Sequence, residues 1–253
     1  MVEWLSKLQF QKRQVKMNSL RLLEIVIPCF NEGLAIKDLV LKCKSISSRA
    51  PIKFVLVDNG STDDTWEQLN ILAAESNEIR IIRIIDNIGY GHGILTGLKT
   101  TKAPYVGWIH ADLQTNPEDL IQIVNWLMLA SNSLNIFIKG RRRNRALVDI
   151  FFSFAMSIFE TILFQRKMVE INAQPTIFSR SLIADLNHAP LDFMLDLYVY
   201  NLAKKYKYNE KRFELDFGLR KYGHSSWNKN VFSRFKFIYK TVKYSFKLRS
   251  NSS

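Results

Sequence analysis

The chain has 253 residues, 47% of them apolar, with only 10 Gly and 6 Pro, which excludes a disordered or low-complexity protein. It suits one large α/β domain with a modest appendage, and its two cysteines, Cys29 and Cys43, exclude a disulfide framework and point to a reducing compartment. The net charge is +13, and from Asn201 to Ser253 fourteen Lys and Arg face three acids, a net of +11, so nearly all the excess sits in the last fifth of the chain.

The first twenty residues carry Lys7, Lys12, Arg13 and Lys16 without an apolar run, so no secretory signal is expected. Leu22 to Phe30 is a continuous apolar run closed by Pro28, the pattern of a buried parallel strand. Leu34, Leu39, Val40 and Cys43 then recur at helical spacing. Ile52 to Val57 is a second strand ending in the turn residues Asp58, Asn59, Gly60 and Ser61. Thr62 with Asp63 and Asp64 marks a helix start. Ile79 to Ile85 is a third strand, and the run Gly89 to Gly93 opens another helix. Tyr105 to Ile109 is a fourth strand, leading into His110, Ala111 and Asp112, and Pro117 starts a further helix. Ile136 to Lys139 reads as a fifth strand, and beyond Gly140 the pattern turns helical and amphipathic.

Strands alternating with helices specify an open, mostly parallel sheet, whose ligands bind beyond the carboxyl ends of the strands. Asn31–Glu32, Asp58–Asn59, Asp86–Asn87 and His110–Asp112 all fall at such ends. Four strands thus deliver polar groups to one edge, although acids and Asn at strand ends also serve as helix caps.

The order Val26–Glu32, Val57–Asp63, a Gly-rich helix start and His110–Gln114 resembles the family 2 inverting glycosyltransferases, and most of all those acting on dolichyl or polyprenyl phosphate. The resemblance implies the GT-A fold, a Rossmann-like, mostly parallel open sheet flanked by helices, here followed by a C-terminal amphipathic helix. It implies three regions: an N-terminal extension over 1–20, a catalytic domain over 21–228, and a basic helix and tail over 229–253. Within the domain, 21–140 would hold the nucleotide sugar and 141–228 would face the acceptor.

By motif match, Pro28, Asn31 and Glu32 line the nucleotide pocket, Asp58 meets the base or ribose, and Asn87, Gly91 and Ala111 lie beside them. Asp58 before Asn-Gly is also a turn-former. The glycines 89, 91 and 93 lack the full dinucleotide spacing, so no NAD site is expected. His110, Asp112 and Gln114 are the implied ligands of Mn²⁺ or Mg²⁺. On an extended segment residues two apart share a face, so the three would converge on one ion. The family carries Asp where His110 stands, which removes one anionic ligand and shifts preference towards Mn²⁺. Arg141 and Arg143 match a segment suited to phosphate oxygens, and Arg220 matches a late Arg-Xaa-Xaa-Gly-Xaa-Ser motif over the donor phosphates. Asp192 and Asp196 are the candidate bases. Tyr198 replaces a Glu of the family, a change compatible with a phosphate acceptor, which needs no strong base, and equally with a hydroxyl acceptor served by either Asp.

Leu147 to Phe164 is the most apolar stretch. Its polar members Asp149, Ser153, Ser157, Glu160 and Thr161 recur every three or four residues, so it is an amphipathic helix packed on the domain or lying on a membrane. Val231 to Lys247 places Val231, Phe235, Ile238, Val242 and Phe246 on one face with Lys236, Lys240, Lys243 and Lys247 off it, as in an interfacial or partner-docking helix. The expected partners are therefore a UDP- or GDP-sugar, a lipid-linked acceptor and an anionic membrane surface at its cytoplasmic face, with no nucleic acid. Transfer to a hydroxyl of a cell-surface glycan or O-antigen intermediate is the alternative. A degenerate nucleotide-sugar binder and a basic nucleic-acid-binding protein are the non-enzyme readings. No oligomeric state is implied.

Overall fold

The computed structural model describes residues 21–216, apart from 75, 115, 131–134 and 144–146, together with residues 231–250. The first four apolar runs form β1 (Leu23–Cys29), β2 (Ile52–Asn59), β3 (Ile79–Ile84) and β4 (Tyr105–Trp108), all parallel. Between them run α1 (Gly33–Ser47), α2 (Thr65–Ala73) and α3 (Tyr90–Lys99). Helix α2 begins at Thr65, later than the Thr62 signal, because the Asp63 carboxylate accepts the Thr65 N–H at 3.0 Å. A 3₁₀ turn at Pro117–Asp119, with the Asn116 side chain accepting the Glu118 N–H at 3.3 Å, leads into α4 (Leu120–Leu129).

The second half departs from the helical pattern read in the sequence. It contributes β5 (Ile136–Arg143), α5 (Leu147–Phe164), β6 (Thr176–Ser179), α6 (Leu195–Lys205), β7 (Asn209–Asp216) and α7 (Val231–Ser250). The sheet order is β3-β2-β1-β4-β6-β5-β7, and β6 alone runs against the rest. Four residues are too few to show a period, and β7 is an edge strand whose charged side chains protect it from further pairing, so neither carries the signal of a buried strand.

Strand residues alternate between two cores. Ile25, Ile27, Phe54 and Leu56 pack with α1, α2 and α4, while Val26, Val57, Val106 and Trp108 pack with α3, α5, α6 and α7. Burial on both faces explains the mainly apolar runs of β1 and β2. Cys29 and Cys43 are buried free thiols, both pushed up by their apolar surroundings. Among the described residues no helix is long and apolar enough to cross a membrane.

Candidate active site

The carboxyl ends of six parallel strands lie on one edge of the sheet, and β6 starts there because Thr176 pairs with both Trp108 and Lys139. The loops after β1 and β2 are stitched together at that edge. The backbone N–H groups of Asn31, Glu32 and Gly33 donate to Ser61 Oγ (3.0 Å), Thr65 Oγ1 (2.9 Å) and Asp63 Oδ2 (3.1 Å). In return, Asn31 Oδ1 accepts the Thr62 N–H at 2.8 Å. Asn31 takes a left-handed backbone (φ 54°), and so acts as an organiser of both loops. Pro28 and Glu32 are half-buried beside it.

Asp58 is fully buried at the end of β2. Its Oδ1 accepts the Ser61 N–H at 3.0 Å, the expected turn bond. Its Oδ2 has no hydrogen-bond partner, and Arg83 Nε stands 3.6 Å away. Buried carboxylate oxygens are ordinarily satisfied, so this oxygen is an unmet acceptor at the ligand edge. Arg83 is itself held over the Trp66 ring, 5.0 Å from its centroid.

Asn87 is exposed and its Oδ1 accepts the Gly89 N–H at 3.0 Å, shaping the entry to α3. Gly91 is buried against a neighbouring backbone: a Cβ there would stand 2.5 Å from Pro190 O and 2.8 Å from Asp192 O. The His92 N–H donates to Leu191 O at 3.0 Å in the same contact. The glycines thus seat α3 against the segment that leads into α6.

Residues 111–114 form a turn, with Leu113 at φ 57°, and the Gln114 N–H donates to Asp112 Oδ1 at 3.1 Å. The extended segment expected for His110, Asp112 and Gln114 is therefore corrected: the three sit around a turn and do not line one strand face. Ala111 is buried beneath it, and His110, Asp112 and Gln114 are half-buried. Among the described residues no cluster of three or more His, Cys, Asp or Glu would hold a metal by itself.

A polar network lies under this turn, built around Asp196, one of the two candidate bases, and Lys139, which the sequence patterns do not single out. Lys139, fully buried, donates to Ile171 O (2.7 Å) and Thr176 Oγ1 (2.8 Å), and stands 3.6 Å from Asp196 Oδ1. Asp196, also buried, accepts from Gln174 Nε2 (3.3 Å) and Thr176 Oγ1 (3.4 Å). Gln174 Nε2 reaches the Tyr90 hydroxyl at 3.3 Å, and the Tyr90 ring stacks on His110 (5.3 Å between centroids) and Phe193 (4.5 Å). Burial lowers the Lys139 ammonium to about 8, against the pull of Asp196. Burial, reinforced by Asp196, raises the Tyr90 phenol well above its ordinary range. In the sequence, the only sign of Lys139 is a lysine closing the apolar run Ile136–Ile138.

Asp192 is exposed, and its Oδ1 accepts the Met194 N–H at 2.9 Å at the start of α6. Arg141 and Arg143 lie on the exposed end of β5 and both pair with Glu214 of β7, Arg141 at 3.4 Å. Tyr198 donates to Asp185 O at 3.2 Å. Arg220 lies outside the described residues.

Two solved structures share this architecture. A mannosyltransferase from Pyrobaculum calidifontis, in complex with GDP-Man and Mn²⁺, aligns with a TM-score of 0.65 at 17% identity over 89% of this chain and 64% of its own. Glucosyl-3-phosphoglycerate synthase from Mycobacterium tuberculosis, with Mn²⁺, UDP-glucose and phosphoglyceric acid, gives 0.66 at 14% identity over 93% and 82%. These likenesses bear out the expected GT-A sheet. In sequence, an undecaprenyl-phosphate 4-deoxy-4-formamido-L-arabinose transferase from Pseudomonas savastanoi is 35% identical over 111 residues, 42% of this chain and 32% of that protein. A dolichol-phosphate mannosyltransferase from Mycosarcoma maydis is 28% identical over 124 residues, 47% of this chain and 41% of that protein. The matched stretch thus spans only 32% to 41% of the length of these curated relatives. The model of Glycosyl transferase family 2 matches residues 24–161, more than half of the chain and all four of the polar strand ends, and the chain belongs to that family.

Proposed function

We propose that the chain moves a sugar, with inversion, from a UDP- or GDP-sugar to a lipid-linked acceptor, polyprenyl or dolichyl phosphate, at the cytoplasmic face of a membrane. The observation that carries the donor half is Asp58, a fully buried carboxylate whose Oδ2 lacks a hydrogen bond and faces the ligand edge. A base N–H or a ribose hydroxyl is the group that would satisfy it. The relatives named for undecaprenyl and dolichol phosphate support the acceptor class, and neighbours crystallised with GDP-Man or UDP-glucose support the donor class.

The donor set at His110, Asp112 and Gln114 fits a hard divalent ion shared with substrate. Asp112 supplies one carboxylate, and Mg²⁺ or Mn²⁺ is commonly held by one or two carboxylates together with substrate phosphates. His110 and Gln114 complete the protein's share. When bound, the ion neutralises the charge that develops on the departing nucleoside diphosphate. Arg141, Arg143 and Arg220 are assigned to phosphate oxygens, which guanidinium forks engage in pairs.

The acceptor phosphate is already ionised at neutral pH, so its oxygen attacks the anomeric carbon with no proton to remove. The bond to the donor diphosphate breaks on the opposite face, which inverts the configuration. Asp196 is committed to Lys139, Gln174 and Thr176, and so its role is to position Tyr90 and the stacked His110. Asp192 is the accessible carboxylate beside this segment. Incubation with labelled nucleotide sugars and membrane lipids, followed by mild acid, tests the reading. A phosphate-linked product is acid-labile, and an acid-stable glycoside would replace the phosphate acceptor with a hydroxyl.

A further inference from the structure

Helix α5 is amphipathic in the opposite sense to a helix that buries its apolar face. Ser157 and Glu160 are buried, and Glu160 Oε1 accepts the Ser245 hydroxyl of α7 at 2.6 Å. Ser157 Oγ accepts the Glu170 N–H at 3.2 Å, and Thr161 Oγ1 exchanges hydrogen bonds with the Met168 backbone. Ser157, Glu160 and Thr161 of the polar stripe are therefore turned into the fold. Outward, at intervals of four, stand Ile150, Phe154, Ile158 and Ile162, exposed by 46%, 63%, 45% and 72%. From Ile150 to Phe164 the sole charged residue is the buried Glu160, so this outer face carries no charge.

Helix α7 repeats the inversion. It buries Thr241, Ser245 and Leu248, and leaves Tyr239 and Phe246 exposed. Phe246 meets Phe159 of α5 edge-on at 5.9 Å, so the aromatic surface continues across both helices. Lys236, Lys240, Lys243 and Lys247 are exposed along α7. An uncharged apolar ridge beside a row of ammonium groups matches the layering of an anionic bilayer surface, acyl chains beneath phosphates. A globular partner would need a matching acidic groove, whereas a lipid surface supplies both layers at once. This face also adjoins the strand-end site: Phe237 of α7 meets Phe193 at 6.3 Å, and Phe193 leads through Tyr90 to His110.

We infer that α5 and α7 together form a bilayer-docking face, in which Ile150, Phe154, Ile158 and Ile162 enter the acyl boundary and the α7 lysines contact anionic headgroups. This deepens the lipid-linked acceptor reading, and rests on it only for the link to catalysis. A face so placed brings a lipid phosphate to the edge of the sheet without the enzyme leaving the surface.

Sedimentation with vesicles tests it, using the full chain and phosphatidylcholine with or without about one third phosphatidylglycerol. The parent protein binds the anionic vesicles, and binding weakens as salt rises. The double variant F154Q/I158Q, altered only at exposed positions, keeps its melting temperature and loses affinity about tenfold or more. Ile71→Gln, exposed on α2 across the sheet, binds as the parent does. A parent that ignores anionic vesicles, or an F154Q/I158Q protein that binds them equally well, overturns the inference. So does self-association of the parent that F154Q/I158Q abolishes, since a second copy would then cover this face. Turnover on a detergent-dispersed acceptor reads the proposed function separately: F154Q/I158Q retains it. If neither protein turns over, the proposed function falls while the vesicle result stands.

Discussion

Replacing Lys139 by Met tests the internal network most sharply. The ammonium is fully buried, makes two short hydrogen bonds at 2.7 and 2.8 Å, and stands 3.6 Å from Asp196. Its loss leaves the Asp196 carboxylate to neutral donors, Gln174 at 3.3 Å and Thr176 at 3.4 Å among them, and removing one member of a buried pair costs about 3–5 kcal/mol. Removing both, as Lys139→Met with Asp196→Leu, leaves no buried charge, and the double variant recovers at least half of that loss. The pH dependence follows from linkage. The folded lysine titrates near 8 against its ordinary 10.5, so the unfolded chain binds more protons between these values and stability rises with pH across that window. The rise is about 3 kcal/mol for a single group shifted this far, and it is absent in Lys139→Met. Urea denaturation followed by circular dichroism from pH 7 to 10.5 measures both effects. Single variants that each cost under about 1 kcal/mol and simply add would refute a coupled buried pair.

Other consequences are simpler to check. Glu160, raised to about 7 by burial, binds protons more readily folded than unfolded, so its ionisation destabilises the α5–α7 contact as pH climbs from about 4.5 to 7. Glu160→Gln is then more stable than the parent at pH 8 by about 2 kcal/mol and gains nothing at pH 4, as thermal melts will report. Asp58→Ala, which removes the unmet acceptor, weakens nucleoside diphosphate binding about tenfold or more by calorimetry while sparing vesicle binding. Gly91→Ala forces a Cβ to within 2.5 Å of Pro190 O, and lowers stability by about 1–3 kcal/mol in chemical denaturation.

The first half of the fold was legible because β1 and β2 are buried on both faces and are therefore mainly apolar. Gly60, at φ 78°, ends β2, and Pro117 opens the 3₁₀ turn before α4, each at a position its backbone suits. β6 escaped because its four residues, Thr176–Ser179, are too few to show a repeating pattern. The turn at 111–114 escaped because Leu113, a residue with no preference for the left-handed region, sits at φ 57° under tertiary constraint. The polar stripe of α5 was readable, but its direction was not. That direction depends on Ser245, 85 residues away, whose hydroxyl donates to Glu160. Lys139 and Asp196 are likewise joined only by the fold, across 57 positions of sequence. Sequence patterns report which face differs, and long-range partners decide which face is buried.

The central claim is a metal-dependent transfer at the carboxyl edge of the sheet, and one assay addresses it. Radiolabelled UDP- and GDP-sugars are incubated with the protein, Mn²⁺ and anionic vesicles containing polyprenyl phosphate, alongside Asp112→Asn and an EDTA control. Label is expected in the lipid fraction with the parent, none with EDTA, and a loss of at least about a hundredfold with Asp112→Asn, as for other groups that stabilise developing charge. Nucleotide binding without any transfer to lipid, or full transfer by Asp112→Asn, would contradict it.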